Sequence, residues 1–181
     1  MKSRGLALVE LVIVVGLVMA LGAGVAAIAW HVDETAQVDR AAKQFRELLD
    51  AIDGSNGSAI GHFSGINAEH IAQEELAPPA MIENGGLRSR WGPIELEPLT
   101  VDPRRPHAHV RITYSDIPQA LCFPLVRAIE QGVDTVRVNG VAVFDANLLN
   151  IAKLQTACGA ADPATISLDH DGGGGGDPAL L

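Results

Sequence analysis

The chain opens with a long apolar segment. Leu11 to Trp30 run for twenty positions without a charged side chain, which as a helix covers about 30 Å, the thickness of a bilayer's hydrocarbon core. Lys2 and Arg4 precede this segment, and Asp33 and Glu34 follow it. The excess of positive charge before the segment predicts a cytoplasmic amino terminus and an exported remainder. We therefore predict a membrane-spanning helix over 11–30.

The apolar pattern then becomes that of an amphipathic helix. Beyond Trp30, apolar residues recur at three- and four-residue spacing at Val38, Ala41, Ala42, Phe45, Leu48, Leu49 and Ile52. Gly54 and the Ser55-Asn56-Gly57 run after it predict the end of the helix. The pattern indicates one helical rod over 6–53, about 72 Å long if continuous, whose second part, 31–53, is amphipathic.

The next segment, 54–92, is rich in Gly, Asn and Pro and is predicted to connect the rod to a globular head. It contains one predicted short helix, over about 67–76, with Asn67 as a suitable N-cap. The head is predicted over 93–170. Residues 171–181, with five consecutive glycines, are predicted to form a flexible tail.

The head carries signals of both helices and strands. The predicted elements are strands over 94–99, 109–114 and 165–169, helices over 117–131 and 148–157, and a hairpin over 135–144. The hairpin signal is the clearest, because Asn139-Gly140 separates two alternating apolar runs and both turn residues accept a positive φ. The predicted fold class is α+β, with a long N-terminal helical rod packed on a head that has an antiparallel sheet. The pattern does not fix the strand order.

Composition narrows the functional classes. With 181 residues the chain has room for one domain and an appendage. Its 13 Lys and Arg against 22 Asp and Glu give a net charge of −9, which argues against direct binding to nucleic acid or docking on anionic lipid through a basic patch. Neither a nucleophile-elbow motif nor a distinct pair of carboxylates appears in the sequence, so we predict no enzymatic activity and no cofactor.

One charged residue interrupts the apolar amino terminus. Glu10 lies within it, where a carboxylate costs roughly 2.5–3.5 kcal/mol at bilayer depth and less near the interface. Two explanations follow from the residues alone. Glu10 reaches the interface and stays hydrated, or it pairs with a cation supplied by another chain.

The run Gly5-Leu6-Ala7-Leu8-Val9-Glu10-Leu11, followed by the apolar stretch, resembles the processing site of type IV prepilins. In that family a membrane peptidase cuts after the glycine and methylates the new amino terminus. The resemblance implies a leader over 1–5, cleavage between Gly5 and Leu6, and N-methylation of Leu6. It also implies that the Leu6 amine pairs with Glu10 of a neighbouring subunit, where loss of one partner would strand a charge at about 3–5 kcal/mol.

The two cysteines, Cys122 and Cys158, both lie on the exported side of the predicted span. An oxidising compartment favours a disulfide, which would contribute roughly 3–4 kcal/mol through loop closure. Two free buried thiols are the alternative. Type IV pilins have a carboxy-terminal disulfide, and the placement of these cysteines matches it.

Histidines offer a second kind of chemistry. His107 and His109 are two residues apart, a spacing that puts both side chains on one face of a strand, and the Asp169-His170-Asp171 run presents oxygen and nitrogen ligands. Nothing in the sequence places a third ligand in register with the first pair, and we predict no metal site.

The resemblance implies a structural subunit of a type IV pilus, supporting adhesion, aggregation, motility or conjugation. Its partners would be other copies of the chain, the prepilin peptidase and the inner-membrane assembly machinery. The subunit would wait in the inner membrane with a periplasmic head and then join an extracellular filament. Leu6 as first mature residue, the Trp91-Gly92 strand entry and the Cys158-to-strand ending resemble type IVb pilins most, although their leaders are usually longer.

Three alternatives remain open from the sequence. A minor pilin or a secretion pseudopilin would share the processing but be present in few copies. A monomeric membrane-tethered periplasmic binding module would keep its amino terminus as an uncleaved anchor and leave Glu10 without a partner. A cleaved secretory signal, with an Ala-x-Ala site at Ala27 and Ala29, would release the head entirely.

Overall fold

The computed structural model describes residues 13, 15, 35–54, 63–145 and 147–171. The chain divides into two units, Met1–Gln37 and Val38–Leu181. In the first unit the described residues, Ile13, Val15 and 35–37, are all helical. Over the described ranges no helix is both long and apolar enough to cross a bilayer. The span predicted over 11–30 falls outside those ranges except at Ile13 and Val15, and it stays a prediction.

Helix α1 occupies residues 35–54 and is amphipathic, as its sequence predicts. Its buried residues are Val38, Ala42, Phe45, Leu48, Leu49 and Ile52, and Ala41 is partly buried. This is the predicted apolar stripe, which is therefore confirmed. The ring of Phe45 meets the ring of Tyr114 edge to face, with centroids 6.1 Å apart, so that the stripe packs on the sheet.

The rest of the described chain forms an antiparallel sheet and three further helices. The strands are β1 (Ile82–Glu83), β2 (Gly86–Arg88), β3 (Pro93–Leu99), β4 (His109–Ile117), β5 (Thr135–Val138), β6 (Val141–Asp145), β7 (Leu148–Leu149) and β8 (Ala164–Asp171). The helices are α2 (Ala68–Gln73), α3 (Gln119–Ile129) and α4 (Ile151–Gly159). A single 3-10 turn, Pro79–Met81, precedes β1. The predicted α+β class, with α1 packed on an antiparallel sheet, is confirmed.

The strand order is β1-β2-β3-β4-β8-β5-β6-β7. The last strand, β8, lies between β4 and β5 and is antiparallel to both. Side chains alternate between the two faces, so Val110 and Ile112 of β4 and Leu168 of β8 enter the core. Arg111 and Asp169, which are paired in register, lie on the opposite face. We call this second face the outer face of the sheet.

Two hairpins have turns of the same chemistry. Asn139-Gly140 joins β5 to β6 with φ values of 50° and 81°, and Asn84-Gly85 joins β1 to β2 with φ values of 52° and 76°. Positive φ at both central residues is the type I′ geometry that matches strand twist. The first hairpin confirms the prediction. The second was not predicted and lies within the segment expected to be a connector.

Some predicted boundaries differ from the structure. The helix expected over 148–157 begins later, because Leu148 and Leu149 form β7, and Asn150 caps α4 by accepting a hydrogen bond from the Lys153 N–H at 2.9 Å. Asp171, assigned to the flexible tail, is the last residue of β8. In contrast, the predicted capping role of Asn67 is confirmed, since its side chain accepts from the His70 N–H at 2.7 Å.

Gly92, which directly precedes β3, lies very close to Ser115 and Asp116 of β4. A Cβ at this position would lie 2.6 Å from Asp116 Oδ2 and 2.8 Å from the Ser115 carbonyl oxygen. Glycine is therefore required sterically, because one contact is with main-chain atoms that cannot rotate away.

Candidate functional site

The residues predicted to carry processing and assembly are Gly5, Leu6 and Glu10. All three lie outside the described residues, so cleavage, methylation and the Leu6–Glu10 pairing stay predictions. Of the predicted site residues, Cys122 and Cys158 are in the described part, and they are bonded to each other with an S–S distance of 2.02 Å.

The disulfide joins α3 to α4. Cys122 belongs to the buried stripe of α3 with Leu121 and Leu125, and Cys158 is buried near the end of α4. The bridge spans 36 positions of sequence and encloses the β5–β6 hairpin and β7. It therefore ties the two helices that flank this region of the head, and limits how far the enclosed segment can separate from the sheet.

Asn139 adds a polar clamp to the same region. Its side-chain Nδ2 donates to the Ala157 carbonyl at 2.9 Å, and its Oδ1 accepts from the Thr165 N–H at 2.9 Å. Its backbone N–H donates to the Thr165 carbonyl at 2.8 Å. One turn residue thus connects the β5–β6 hairpin to α4, beside the disulfide, and to β8.

The outer face carries a buried carboxylate between two arginines. Asp169, in β8, accepts hydrogen bonds from Arg111 Nε at 2.7 Å and Arg111 Nη2 at 3.1 Å. Arg137, in β5, donates from Nη1 to Asp169 Oδ2, the same oxygen that accepts from Arg111 Nη2. The Asp169 side chain is 9% exposed, whereas those of Arg111 and Arg137 are 30% and 32% exposed. This cluster links the three central strands of the sheet.

The ionisation of this cluster follows from its geometry. Burial raises the pKa of Asp169, but the hydrogen bonds and charges of Arg111 and Arg137 outweigh burial and leave the net pKa below its usual value. The hydrogen bond to Asp169 raises the pKa of Arg111, against the effect of burial. The carboxylate is thus held ionised where an unpaired one would be costly.

The sequence does not predict this cluster. The Asp169-His170-Asp171 run, a source of oxygen and nitrogen ligands in the sequence, lies in β8, where adjacent residues point to opposite faces. His170 instead lies toward the core, where its Nε2 is 3.0 Å from Asp53 Oδ1 of α1 and its Nδ1 donates to the Gly132 carbonyl at 3.0 Å. Alternating polar residues in β4, β5 and β8 were the available signal, without a strand order to connect them.

His107 and His109 differ in their backbone structure. His107 has a φ of 58° and lies outside the strand, whereas His109 is the first residue of β4. They therefore do not share a strand face. Across the described ranges, no three His, Cys, Asp or Glu side chains are placed to hold a metal ion together.

A buried phenol lies under α1. The hydroxyl of Tyr114 is fully enclosed and, within the described part of the chain, has no hydrogen-bond partner. Burial raises the pKa of Tyr114. Its surroundings are apolar side chains, including Phe45, Leu125 and Ile166. We assign this residue to the packing of α1 and α3 on the sheet, because none of the described residues offers the hydroxyl a hydrogen bond.

Comparison with known proteins gives three findings. The family model described as PilS N terminal matches residues 34–170, which is more than half of the chain. The solved structure of TcpA, a type IV pilin from Vibrio cholerae El Tor, superposes with a TM-score of 0.56 at 15% identity, covering 75% of this chain and 99% of that one. A type IVb pilin from Salmonella typhi has a TM-score of 0.49 at 18% identity, covering 70% and 98%. No curated protein matches significantly.

Proposed function

This chain belongs to the PilS N-terminal family and shares the fold of the type IV pilin TcpA, and from that premise we propose that it is a type IVb-like pilin that polymerises as a structural subunit of a type IV pilus. The observation that carries the proposal is the family match, which runs continuously from α1 through β8. It includes the amphipathic face of α1 and the sheet on which that face packs. The role is mechanical, and we propose no catalysis.

We propose that prepilin peptidase cuts between Gly5 and Leu6 and that Leu6 is then N-methylated. The support is the sequence, in which a glycine precedes an apolar run with Glu10 at the fifth position after it. Glycine leaves the scissile bond open to a peptidase, since it has no side chain. Removing Lys2 and Arg4 with the leader also makes the mature chain more acidic.

Assembly is proposed to depend on Glu10. The Leu6 amine of one subunit, protonated below its pKa of about 8, would neutralise Glu10 of a neighbour inside a bundle of apolar helices. Because an unpaired buried charge costs about 3–5 kcal/mol, a pair of this kind favours one axial register over others. Before assembly the subunit would be held in the inner membrane by the span over 11–30.

The head is proposed to form the outer surface of the filament. The features that support this role are the disulfide between α3 and α4, the Asn139 clamp and the Arg111–Asp169–Arg137 cluster. Each fixes elements that are distant in sequence. A subunit that remains outside the cell benefits from such cross-links, because it cannot be refolded there. The acidity of the chain favours a solvated surface over direct binding to nucleic acid.

Substitution of Glu10 tests the proposal. Glu10→Gln removes the charge and keeps the shape, and we expect the variant to be cut after Gly5 but to be absent from sheared filaments. Glu10→Asp is the matched control, because it retains the carboxylate and should assemble at least in part. Gly5→Val should instead leave an uncut chain in the membrane fraction. Filaments of Glu10→Gln at the wild-type level would contradict the proposed pairing.

Deleting the gene distinguishes a major pilin subunit from a minor one. In a strain that lacks the gene, loss of all filaments, restored by the wild-type chain, supports a principal subunit. Filaments that persist without the chain would mean that it is a minor pilin or a pseudopilin. A chain that stays uncut in every background would be a membrane-tethered module, which contradicts the proposal as a whole.

A further inference from the structure

The two hairpins described above place the same dipeptide in two different environments. Asn84-Gly85 and Asn139-Gly140 both occupy the central positions of a type I′ turn, with all four φ values positive. The chain therefore contains an internal comparison in which sequence and backbone geometry are matched. The surroundings of the asparagine side chain are what differ.

The Asn-Gly dipeptide has a characteristic chemistry. The backbone nitrogen of the glycine attacks the side-chain carbonyl carbon Cγ of the asparagine, and no Cβ on the glycine obstructs the approach. A C–N bond forms, the bond from Cγ to the amide nitrogen breaks, and ammonia leaves with the displaced proton. Water then opens the cyclic imide at either carbonyl, which gives aspartate or isoaspartate. The reaction needs no oxidant and no reactant other than water.

At Asn139 the side chain is held away from this reaction. Its Nδ2 and Oδ1 are both engaged, with the Ala157 carbonyl and the Thr165 N–H respectively, each at 2.9 Å. The backbone of Asn139 is also bonded to Thr165. Turning Cγ toward the Gly140 nitrogen requires both side-chain hydrogen bonds to break while the neighbouring groups stay buried.

At Asn84 the side chain has no such restraint. The residue is exposed, Gly85 is exposed, and in the part of the chain that the structure describes the Asn84 side chain makes no hydrogen bond. Its hairpin is also at the edge of the sheet, where β1 is only two residues long. The ion pair beside the turn, between Glu83 and Arg88 at 3.2 Å, joins side chains that are more than half exposed. No hydrogen bond among the described residues therefore opposes rotation of the Asn84 side chain toward Gly85.

We propose that Asn84 is a site of spontaneous deamidation and that Asn139 is protected from the same reaction by its clamp. Deamidation at Asn84 adds a negative charge next to Glu83. The isoaspartate product also inserts a methylene into the main chain of a two-residue turn, which changes the register of β1 against β2. The modified chain would loosen at this edge hairpin and remain intact at β4, β5 and β8. This inference does not depend on the proposed role in a filament.

Peptide mapping of the intact chain tests the proposal. The full-length protein, purified in detergent, is incubated in mildly alkaline buffer, and the peptides that contain each asparagine are followed by mass spectrometry over time. We expect Asn84 to react at least about tenfold faster than Asn139, since two hydrogen bonds must open at the second site. A parallel sample, reduced and denatured, should show comparable rates at the two sites. Fragmentation of the peptide distinguishes Asn84 from the Asn56-Gly57 pair, which lies on the same stretch between Arg46 and Arg88, and an Asn84→Gln variant should lose the signal at position 84.

Two results would overturn the proposal. Equal rates at Asn84 and Asn139 in the folded chain would mean that the clamp gives no protection. An Asn84 that stays unmodified in the folded chain but reacts in the denatured one would mean that the exposed turn is itself protective. The folded and denatured arms together separate these results from a simple failure of the chemistry.

Discussion

Replacing Asp169 by asparagine is expected to destabilise the head substantially. Asn has nearly the same shape as Asp, so Asp169→Asn leaves no cavity. It removes the negative charge between Arg111 and Arg137 and turns an amide NH₂ toward donors. Three charged hydrogen bonds, two from Arg111 and one from Arg137, are lost or weakened. Sequence alone would not single out this substitution.

The size of the effect follows from burial. A hydrogen bond to a charged group contributes about 1.5–3 kcal/mol, and breaking a fully buried pair costs about 3–5 kcal/mol. Here the Arg111 and Arg137 side chains are 30% and 32% exposed and regain part of their hydration. The expected loss is therefore about 2–3 kcal/mol at neutral pH. Against a typical total of 5–15 kcal/mol, this is a large fraction of the stability.

The same cluster predicts a pH dependence with a definite sign. Because the folded-state pKa of Asp169 lies below its unfolded value, its contribution to stability is complete above that unfolded value, about 3.9. The contribution is lost as the pH falls through the folded pKa. The wild-type chain should therefore lose stability faster than Asp169→Asn as the solution is acidified below about pH 4.

Denaturant unfolding of the two full-length proteins in detergent, followed by circular dichroism at several pH values, measures both effects. Glu83→Gln is the matched control, because the Glu83–Arg88 pair lies in the same sheet but both of its side chains are exposed. This substitution should lower the unfolding free energy by no more than about 1 kcal/mol. A loss of stability at Asp169→Asn as small as the loss at Glu83→Gln would mean that the buried cluster does not stabilise the head. A difference between wild type and Asp169→Asn that does not shrink in acid would mean that the carboxylate charge is not its source.

Three further predictions concern the head. Gly92→Ala should lower the unfolding free energy by about 1–3 kcal/mol, since its Cβ would lie 2.6 Å from Asp116 Oδ2; an unchanged denaturation midpoint would contradict this. Replacing Cys122 and Cys158 together by serine should cost about 3–4 kcal/mol, and reducing agent should then have no further effect on the variant. Asn139→Ala should cost about 2 kcal/mol or more by the same assay, because buried partners lose their hydrogen bonds; a neutral result would mean that the clamp is not stabilising.

Helices and turns whose structure depends on residues close together in sequence could be predicted from local patterns. The apolar stripe of α1 has helical periodicity, and the Asn139-Gly140 turn has a specific backbone requirement, so both could be predicted. The Asn84-Gly85 turn carries the same signal. It was missed because β1 and β2 are two and three residues long, too short for alternation to be recognised.

The arrangement of the sheet could not be predicted from the same patterns. Asp169 meets Arg111 across 58 positions of sequence and Arg137 across 32, and this depends on β8 entering between β4 and β5. Strand order is decided by the packing of the whole core rather than by any one segment. The cluster therefore becomes visible only once the topology is known, as do the partners of His170.

The processing and assembly residues depend on sequence and family membership. Gly5, Leu6 and Glu10 lie outside the described residues, so their roles rest on the prepilin-like motif. The PilS N-terminal family model matches residues 34–170, so family membership and the prepilin-like motif rest on different parts of the chain. A single measurement, made on the chain as it occurs in filaments, can therefore test cleavage after Gly5 and polymerisation together.

That measurement is the mass of the amino-terminal peptide of this chain in filaments sheared from the cell surface. We expect a peptide that begins with N-methylated Leu6 and is abundant in the sheared fraction. A chain that retains Met1, is confined to the membrane fraction and is absent from sheared material would contradict the account of a polymerising pilin.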